Sequence, residues 1–222
     1  MRFDEVQRRL RTLGEPAQGD LPAGPTALDP DVLATGTDAP AWVRRSIDTP
    51  ARDAAVLVLI YPDADDEATL VLTVRPEGDL RHAGQISLPG GAADPGDAFP
   101  EGTALREAAE EVGLDPIAAD VTIVGRLDVV DVRVSGFLLV PVVALAARAP
   151  ILTPDSREVA AILHMPVGRF LPDAVIEIVE AERDGWRLRY GAYPFDGHHV
   201  WGATARVLGQ LGAVLGRDEA TS

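Results

Sequence analysis

Two unbroken apolar runs constrain this chain more than anything else in it. "AAVLVLIY" (54–61) and "GFLLVPVVALAA" (136–147) carry no charge and are rich in β-branched residues. The first reads as a buried strand, and the second, with the residues around it, as another. Both are too short or too proline-interrupted to span a bilayer as a helix. A strand with no polar alternation needs cover on both faces, so the chain must wrap other elements around these two segments.

The segments around them supply that cover. "DEVQRRLRTL" (4–13) suits a short helix, and the Pro-, Gly-, Ala- and Asp-rich residues 14–40 read as a loosely ordered arm. "ATLVLTVR" (68–75) follows "AAVLVLIY" across a polar turn, which predicts a hairpin. A glycine-punctuated loop over 76–97 leads to a helix at about 98–112, stopped by Gly113. "VTIVGRLDVV" and "SGFLLVPVVALA" are further strands, and "SREVAAIL" (156–163) suits either a short helix or a strand. Residues 174–197 read as strand, turn and strand, and 200–215 as an amphipathic helix before a polar tail, 217–222. Hairpins mixed with helices favour a mixed sheet flanked by helices over a doubly wound parallel one. The expected division is an N-terminal helix and arm over 1–47, then one α/β domain over 48–216.

Composition excludes several chemistries. The 222 residues include no cysteine and no lysine, which removes disulfides, thiolate catalysis, Schiff bases and lysine-dependent phosphate loops. The formal net charge of −15 opposes nucleic acid and anionic membrane as partners. A small phosphorylated substrate stays compatible, provided that local arginine or a metal cation offsets the background. "MRFDEVQRRLRTLG" has no apolar segment of a secretory signal, so a cytoplasmic protein is expected.

"LREAAEEVG" (105–113) raises a sharper question. Glu107, Glu110 and Glu111 stand at i, i+3 and i+4 on one helix face, with Leu105, Ala108, Ala109 and Val112 on the other. Like charges at that spacing repel by roughly 0.2–0.5 kcal/mol per pair. Such a face is commonly just solvated, and Arg106 can soften the repulsion by pairing with Glu110. The preceding loop favours a different reading. Gly90 and Gly91 let the backbone turn tightly and bring a carbonyl near the carboxylates, while Asp97 is placed to cap the helix. Three carboxylates and a carbonyl form the oxygen ligand set of a hard ion such as Mg²⁺ or Mn²⁺.

The stretch resembles the Nudix box of diphosphate hydrolases, through Gly91, Arg106, Glu107, Ala108, Glu110, Glu111, Gly113 and Leu114. Asp97 replaces the first Glu of that pattern, with eight rather than seven residues before Arg106. Both departures are similar to a coenzyme A diphosphatase-like branch, as is "VLTVRPEGDLRHAGQISLPGG" upstream. Pro76, Leu88 and the spacing of Arg81 from His82 depart from that branch, which leaves the role of Arg81 open. "REVAAILHMPV" (157–167) and "VWGATARVL" (200–208) also look like it, so the likeness runs from about residue 50 to 210.

The resemblance implies a Nudix-type α/β/α sandwich and a metal-dependent hydrolase of a small-molecule diphosphate. Glu107, Glu110, Glu111 and the Gly91 carbonyl would hold Mg²⁺ or Mn²⁺. Glu110 or Glu111 would help activate water, and Arg106 would brace the loop through Asp97. Arg75, Arg81, His82 and Gln85 are the substrate-side candidates; a strand-end arginine and a structural loop histidine are their plain alternatives. Coenzyme A or an acyl-CoA would be the substrate, with ADP-ribose, dinucleotides or nucleoside triphosphates as rivals, and a non-catalytic nucleotide-binding module as a further one. A homodimer is compatible with all of these. Glu158 reads as a solvated acid or an added ligand, His198 and His199 as surface residues, and Trp201 as a core anchor.

Overall fold

A computed structural model describes residues 1–11, 13–14, 21–33, 50–77, 84–132, 135–183 and 186–217. In chain order these form α1 (Phe3–Leu10), a 3₁₀ turn (Thr26–Leu28), β1 (Asp31–Leu33), β2 (Arg52–Pro62) and β3 (Ala68–Val74). Then come β4 (Ile86–Ser87), β5 (Gly90–Ala92), α2 (Glu101–Val112), β6 (Val121–Arg126), β7 (Val130–Val132) and β8 (Phe137–Ala146). The remainder is β9 (Ala161–Pro166), a 3₁₀ turn (Val167–Phe170), β10 (Glu177–Arg183), β11 (Trp186–Phe195), β12 (His198–Trp201) and α3 (Gly202–Leu215).

The two apolar runs lie side by side. β2 and β8 pair in parallel, with Arg52 opposite Phe137 and Ile60 opposite Leu145. They form the middle of an eight-stranded mixed sheet running β4-β3-β2-β8-β6, to which β5, β7 and β9 add. β2 and β3 make the expected antiparallel hairpin. Positions 54 to 61 of β2 are all buried, because both faces of the sheet are covered. The fold is α/β with a mixed sheet, as expected.

A second sheet accompanies it. β11 pairs with β1, β10 and β12, all antiparallel, and this four-stranded layer joins α1 and α3 on the sheet face opposite α2. The ambiguous "SREVAAIL" resolves into a turn followed by β9, which pairs with β3 from Thr69↔Pro166 to Val74↔Ala161.

The described N-terminal residues pack on the domain. Val6 and Leu10 of α1 are fully buried and Leu28 is 1% exposed, all in the core cluster that α3 also joins. Arg9 donates to the carbonyls of Leu215 and Arg217, holding the end of α3, and Arg9 also pairs with Glu5 at 2.8 Å. Burying a leucine stabilises by roughly 1.5–3 kcal/mol, so this helix belongs to the core energetically. Among the described residues, no helix is long and apolar enough to cross a membrane.

Candidate active site

The site is built on α2 and on the short strand beneath it. α2 begins at Glu101 behind Pro100, three residues later than the sequence pattern suggests. Asp97 therefore does not cap the helix. Its carboxylate accepts instead from Thr103 Oγ1 at 2.8 Å, from the Asp94 amide at 3.0 Å and from Arg106. The helix ends as expected: Gly113 adopts φ +66°, and the amides of Gly113 and Leu114 return to the Ala109 and Ala108 carbonyls.

Ala104, Ala108 and Val112 seat α2 against the sheet, where Ala55, Leu57, Val142 and Ala144 meet them. These small contacts bring the helix close enough for its acidic face to reach β5. Gly90 lies so near β2 that a Cβ would fall 2.3 Å from the Ala55 carbonyl oxygen. Gly91 faces the helix, and a Cβ there would lie 2.7 Å from the Glu107 carboxylate. The two glycines thus do different things. One lets the strands approach, the other leaves room for a carboxylate.

The three glutamates differ sharply in setting. Glu111 is 7% exposed and accepts a hydrogen bond from the Gly90 amide at 3.3 Å. Burial pushes its carboxyl up to about 7, an effect that the Gly90 amide and the Arg75 charge oppose and that Glu107 and Glu158 reinforce. Glu107 is half-buried, and burial raises it too, against the pull of Arg106. Glu110 is 60% exposed in its side chain.

Arg106 organises this face. Its NH1 donates to Glu107 Oε1 at 2.9 Å and to Glu110 Oε2 at 3.0 Å. NH2 donates to the Ala92 carbonyl at 3.1 Å and to Asp97 Oδ2 at 3.0 Å, and Nε faces Asp97 Oδ1 at 3.2 Å. The expected Arg106–Asp97 brace is present. Arg106 holds the Asp97 carboxyl well below the usual carboxylate range, and Asp97 in turn raises the guanidinium.

The substrate-side candidates are brought partly together. Arg75 follows β3, is exposed, and its charge acts on Glu111. Its amide donates to the Gln85 carbonyl at 3.0 Å, so the β3–β4 hairpin carries both residues to the same end of the sheet. Arg81 and His82 lie outside the described residues. Glu158 is exposed on a turn that docks on α2, through the amides of Thr153 and Asp155 to the Val112 and Glu111 carbonyls, both at 2.9 Å. His199 pairs with Glu177 at 2.9 Å on the surface.

The donor set suits a hard divalent cation. It is all oxygen, it contains two carboxylates that burial holds above their ordinary range, and Gly91 cradles one of them without a side chain. As the side chains stand, no three carboxyl or imidazole groups close around one point among the described residues. Arg106 occupies the place between Glu107 and Glu110. Sequence reasoning missed Thr103 and the Asp94 amide. Thr103 was discernible, since it stands at i−3 from Arg106 and i−4 from Glu107 and shares their side of the helix.

An acidic helix clamped to a glycine strand by one arginine, on this mixed sheet, is the arrangement of a hydrolase of the Nudix type. The NUDIX domain family matches residues 51–180, and the chain belongs to the Nudix hydrolases, enzymes that act on pyrophosphate bonds. It is 39% identical over 160 residues to a Nudix hydrolase NudL of Pectobacterium atrosepticum, covering 72% of this chain and 81% of the relative. A NudL of Cronobacter sakazakii is 37% identical over 165 residues, covering 74% and 83%. Among solved structures, a Nudix hydrolase from M. smegmatis, RenU, is 26% identical with a TM-score of 0.46, covering 55% of this chain and 74% of that one.

Proposed function

We propose that this chain is a coenzyme A diphosphatase, dependent on Mg²⁺ or Mn²⁺, that splits coenzyme A or an acyl-CoA into phosphopantetheine and adenosine 3',5'-bisphosphate. One observation supports this reading above the rest. The segment that resembles the coenzyme A branch, from Leu72 to Gly91, is the segment whose described ends meet the carboxylate helix. Arg75 acts on Glu111, the Gly90 amide bonds it, and Gly91 cradles Glu107.

In this reading Glu107, Glu110 and Glu111, with the Gly91 carbonyl, hold the divalent ion. When bound, that ion neutralises diphosphate charge and acidifies a water. Arg75 binds a phosphate oxygen by charge-assisted hydrogen bonds and stabilises charge on the leaving phosphate. Glu110 or Glu111 takes the proton from the attacking water. Arg106 acts at one remove, fixing Glu107 and Glu110 relative to the loop. Gln85 orders the backbone beside Arg75, and by resemblance Arg81 and His82 are the further substrate-side candidates.

Incubation with coenzyme A, ADP-ribose and NADH in parallel, with Mg²⁺ or Mn²⁺ and product identification, tests the reading. Release of phosphopantetheine from coenzyme A at a kcat/KM well above the other two supports it. Preference for ADP-ribose or NADH would transfer the same metal helix to another diphosphate and overturn the coenzyme A assignment.

A further inference from the structure

Thr103 is the one polar residue of α2 with no exposed surface at all, at 0%. Its hydroxyl makes a single described side-chain bond, donating to Asp97 Oδ2 at 2.8 Å. That oxygen also accepts from the Asp94 amide at 3.0 Å and from Arg106 NH2 at 3.0 Å. Arg106 Nε bridges the two oxygens, at 3.2 Å from Oδ1 and 3.3 Å from Oδ2. The carboxylate is therefore held from three directions, by the loop, by the first turn of the helix and by the arginine. Remove the hydroxyl, and Asp97 keeps its charge pair with Arg106 but loses the contact that ties it to the helix.

Arg106 depends on that geometry. Its Nε and NH2 are fixed by Asp97 and by the Ala92 carbonyl, and NH1 then falls between Glu107 and Glu110 at 2.9 and 3.0 Å. A planar guanidinium that is held along one edge presents the other edge in a fixed direction. We propose that Thr103 is a positioning residue for the cation site: through Asp97 and Arg106 it sets the separation and orientation of the Glu107 and Glu110 carboxylates. It touches neither substrate nor ion. The inference rests on the reading of α2 as the metal-holding helix, and it adds a residue which that reading does not contain.

The chain also offers the reason why a threonine serves here. A serine hydroxyl in the first turn of a helix has rotamer freedom and can turn back to the backbone. The β-branched threonine is restricted at χ1, and full burial restricts it further. Valine matches its shape and lacks only the donor, so exchange for valine removes one hydrogen bond without opening a cavity.

The test uses the whole chain and Mn²⁺ as the probe, with no substrate present. Thr103→Val should raise the Mn²⁺ dissociation constant, read from the loss of the free-ion electron paramagnetic resonance signal, about tenfold, as measured for residues that orient ligands without binding the metal. Thr103→Ser keeps the donor on a freer side chain, so it should bind Mn²⁺ more tightly than Thr103→Val and no more tightly than the parent. A second readout needs no metal: the Arg106 Nε–H resonance should exchange with solvent faster in Thr103→Val, and be restored in Thr103→Ser. Thr103→Val combined with Asp97→Asn should be no weaker in Mn²⁺ binding than Asp97→Asn alone, because both act along one path. Glu107→Gln separates the positioning role of Thr103 from the metal-holding role of α2. If Glu107→Gln abolishes Mn²⁺ binding while Thr103→Val binds like the parent, the positioning role is overturned and the metal helix stands. If Glu107→Gln itself binds Mn²⁺ like the parent, the metal-helix reading fails, and the positioning role falls with it.

Discussion

The two faces of the eight-stranded sheet are made from different side chains. Under α2, β2 presents Ala55, Leu57, Leu59 and Tyr61, β8 presents Val142, Ala144 and Ala146, and the helix answers with Ala104, Ala108 and Val112. On the opposite face Val56, Val58 and Ile60 meet Met165, Phe170, Leu208 and Leu211, together with Val6 and Leu10 from α1. Small residues let α2 lie close, at the expense of apolar area. Large ones fill a thick layer. Closeness is what a site needs, because it places the Glu107 carboxylate against Gly91 and Glu111 within reach of the Gly90 amide. The thick layer carries the stability that lets the thin one hold buried negative charge.

That division can be broken from either side. The largest effect is expected in the thick layer. Leu208→Ala, at a fully buried position, should cost about 2–5 kcal/mol of unfolding free energy, with turnover per folded molecule unchanged. Chemical denaturation beside an active-site-normalised assay reads both, and a loss of turnover at full folding would show that the faces are coupled.

In the thin layer the pattern inverts. On the proposed reading, Glu111→Gln should cut turnover by a factor on the order of 10² or more, since it removes a charged metal ligand. Stability without metal should hold or rise by a few tenths of a kcal/mol, because a repulsion at helical spacing disappears. Parent-like hydrolysis of coenzyme A by the glutamine variant would end the metal-helix reading. Arg75→Ala, outside both layers, should lower kcat/KM by about 1–3 kcal/mol in transition-state terms and leave the melting temperature alone. Unchanged kinetics would make Arg75 an ordinary strand-end residue.

Titration gives a finer measure of the thin layer. The Glu111 carboxyl moves from an ordinary 4.5 in the unfolded chain up to about 7 when folded, so between those values the folded state holds more of the proton. Its contribution to stability is complete below pH 4.5 and is lost as pH rises through 7, at no more than about 1.4 kcal/mol per pH unit. Thermal melts of the metal-free protein across that window should show this slope, and Glu111→Gln should flatten it. Cation affinity should rise over the same interval. The smallest effect belongs to the rim: Ile117, 90% exposed, changed to Ser should alter stability by less than about 0.5 kcal/mol and turnover not at all.

What could be read from the residues alone follows the same line. The thin layer was legible, because its signals are local: the carboxylates at i, i+3 and i+4, the two glycines, the stop at Gly113 and the Arg106–Asp97 pairing all lie within about 24 positions. The two apolar strands were equally plain. The thick layer was not. Its helix α1 is short and rich in arginine, and nothing within residues 4–13 shows that α3, nearly the whole chain away, will cover Val6 and Leu10. "SREVAAIL" has no helical or alternating period strong enough to decide its fate; its pairing with β3 decides it. Asp97 was misplaced as a cap for a related reason. Its partners on the helix are the side chains of Thr103 and Arg106, and a carboxylate just before a helix reads the same from sequence whether it meets the helix's own amides or a threonine.

The parallel pairing of β2 with β8 has a consequence for the order in which the molecule can come together. Arg52 waits for Phe137 and Ile60 for Leu145, and β1 waits longer still, for Leu188 and Arg189. As the chain leaves the ribosome, the β2–β3 hairpin and α2 are complete long before the strand that must lie beside β2 has been synthesised. During that interval the acidic helix has only half of its platform, and the uncovered edge of β2 is open to any other extended segment. Contacts so distant along the chain slow folding, so assembly should run in milliseconds to seconds rather than microseconds. The charge that later serves the site then has an earlier use, since the excess of acidic residues, −15 over the full chain, keeps unfinished copies apart.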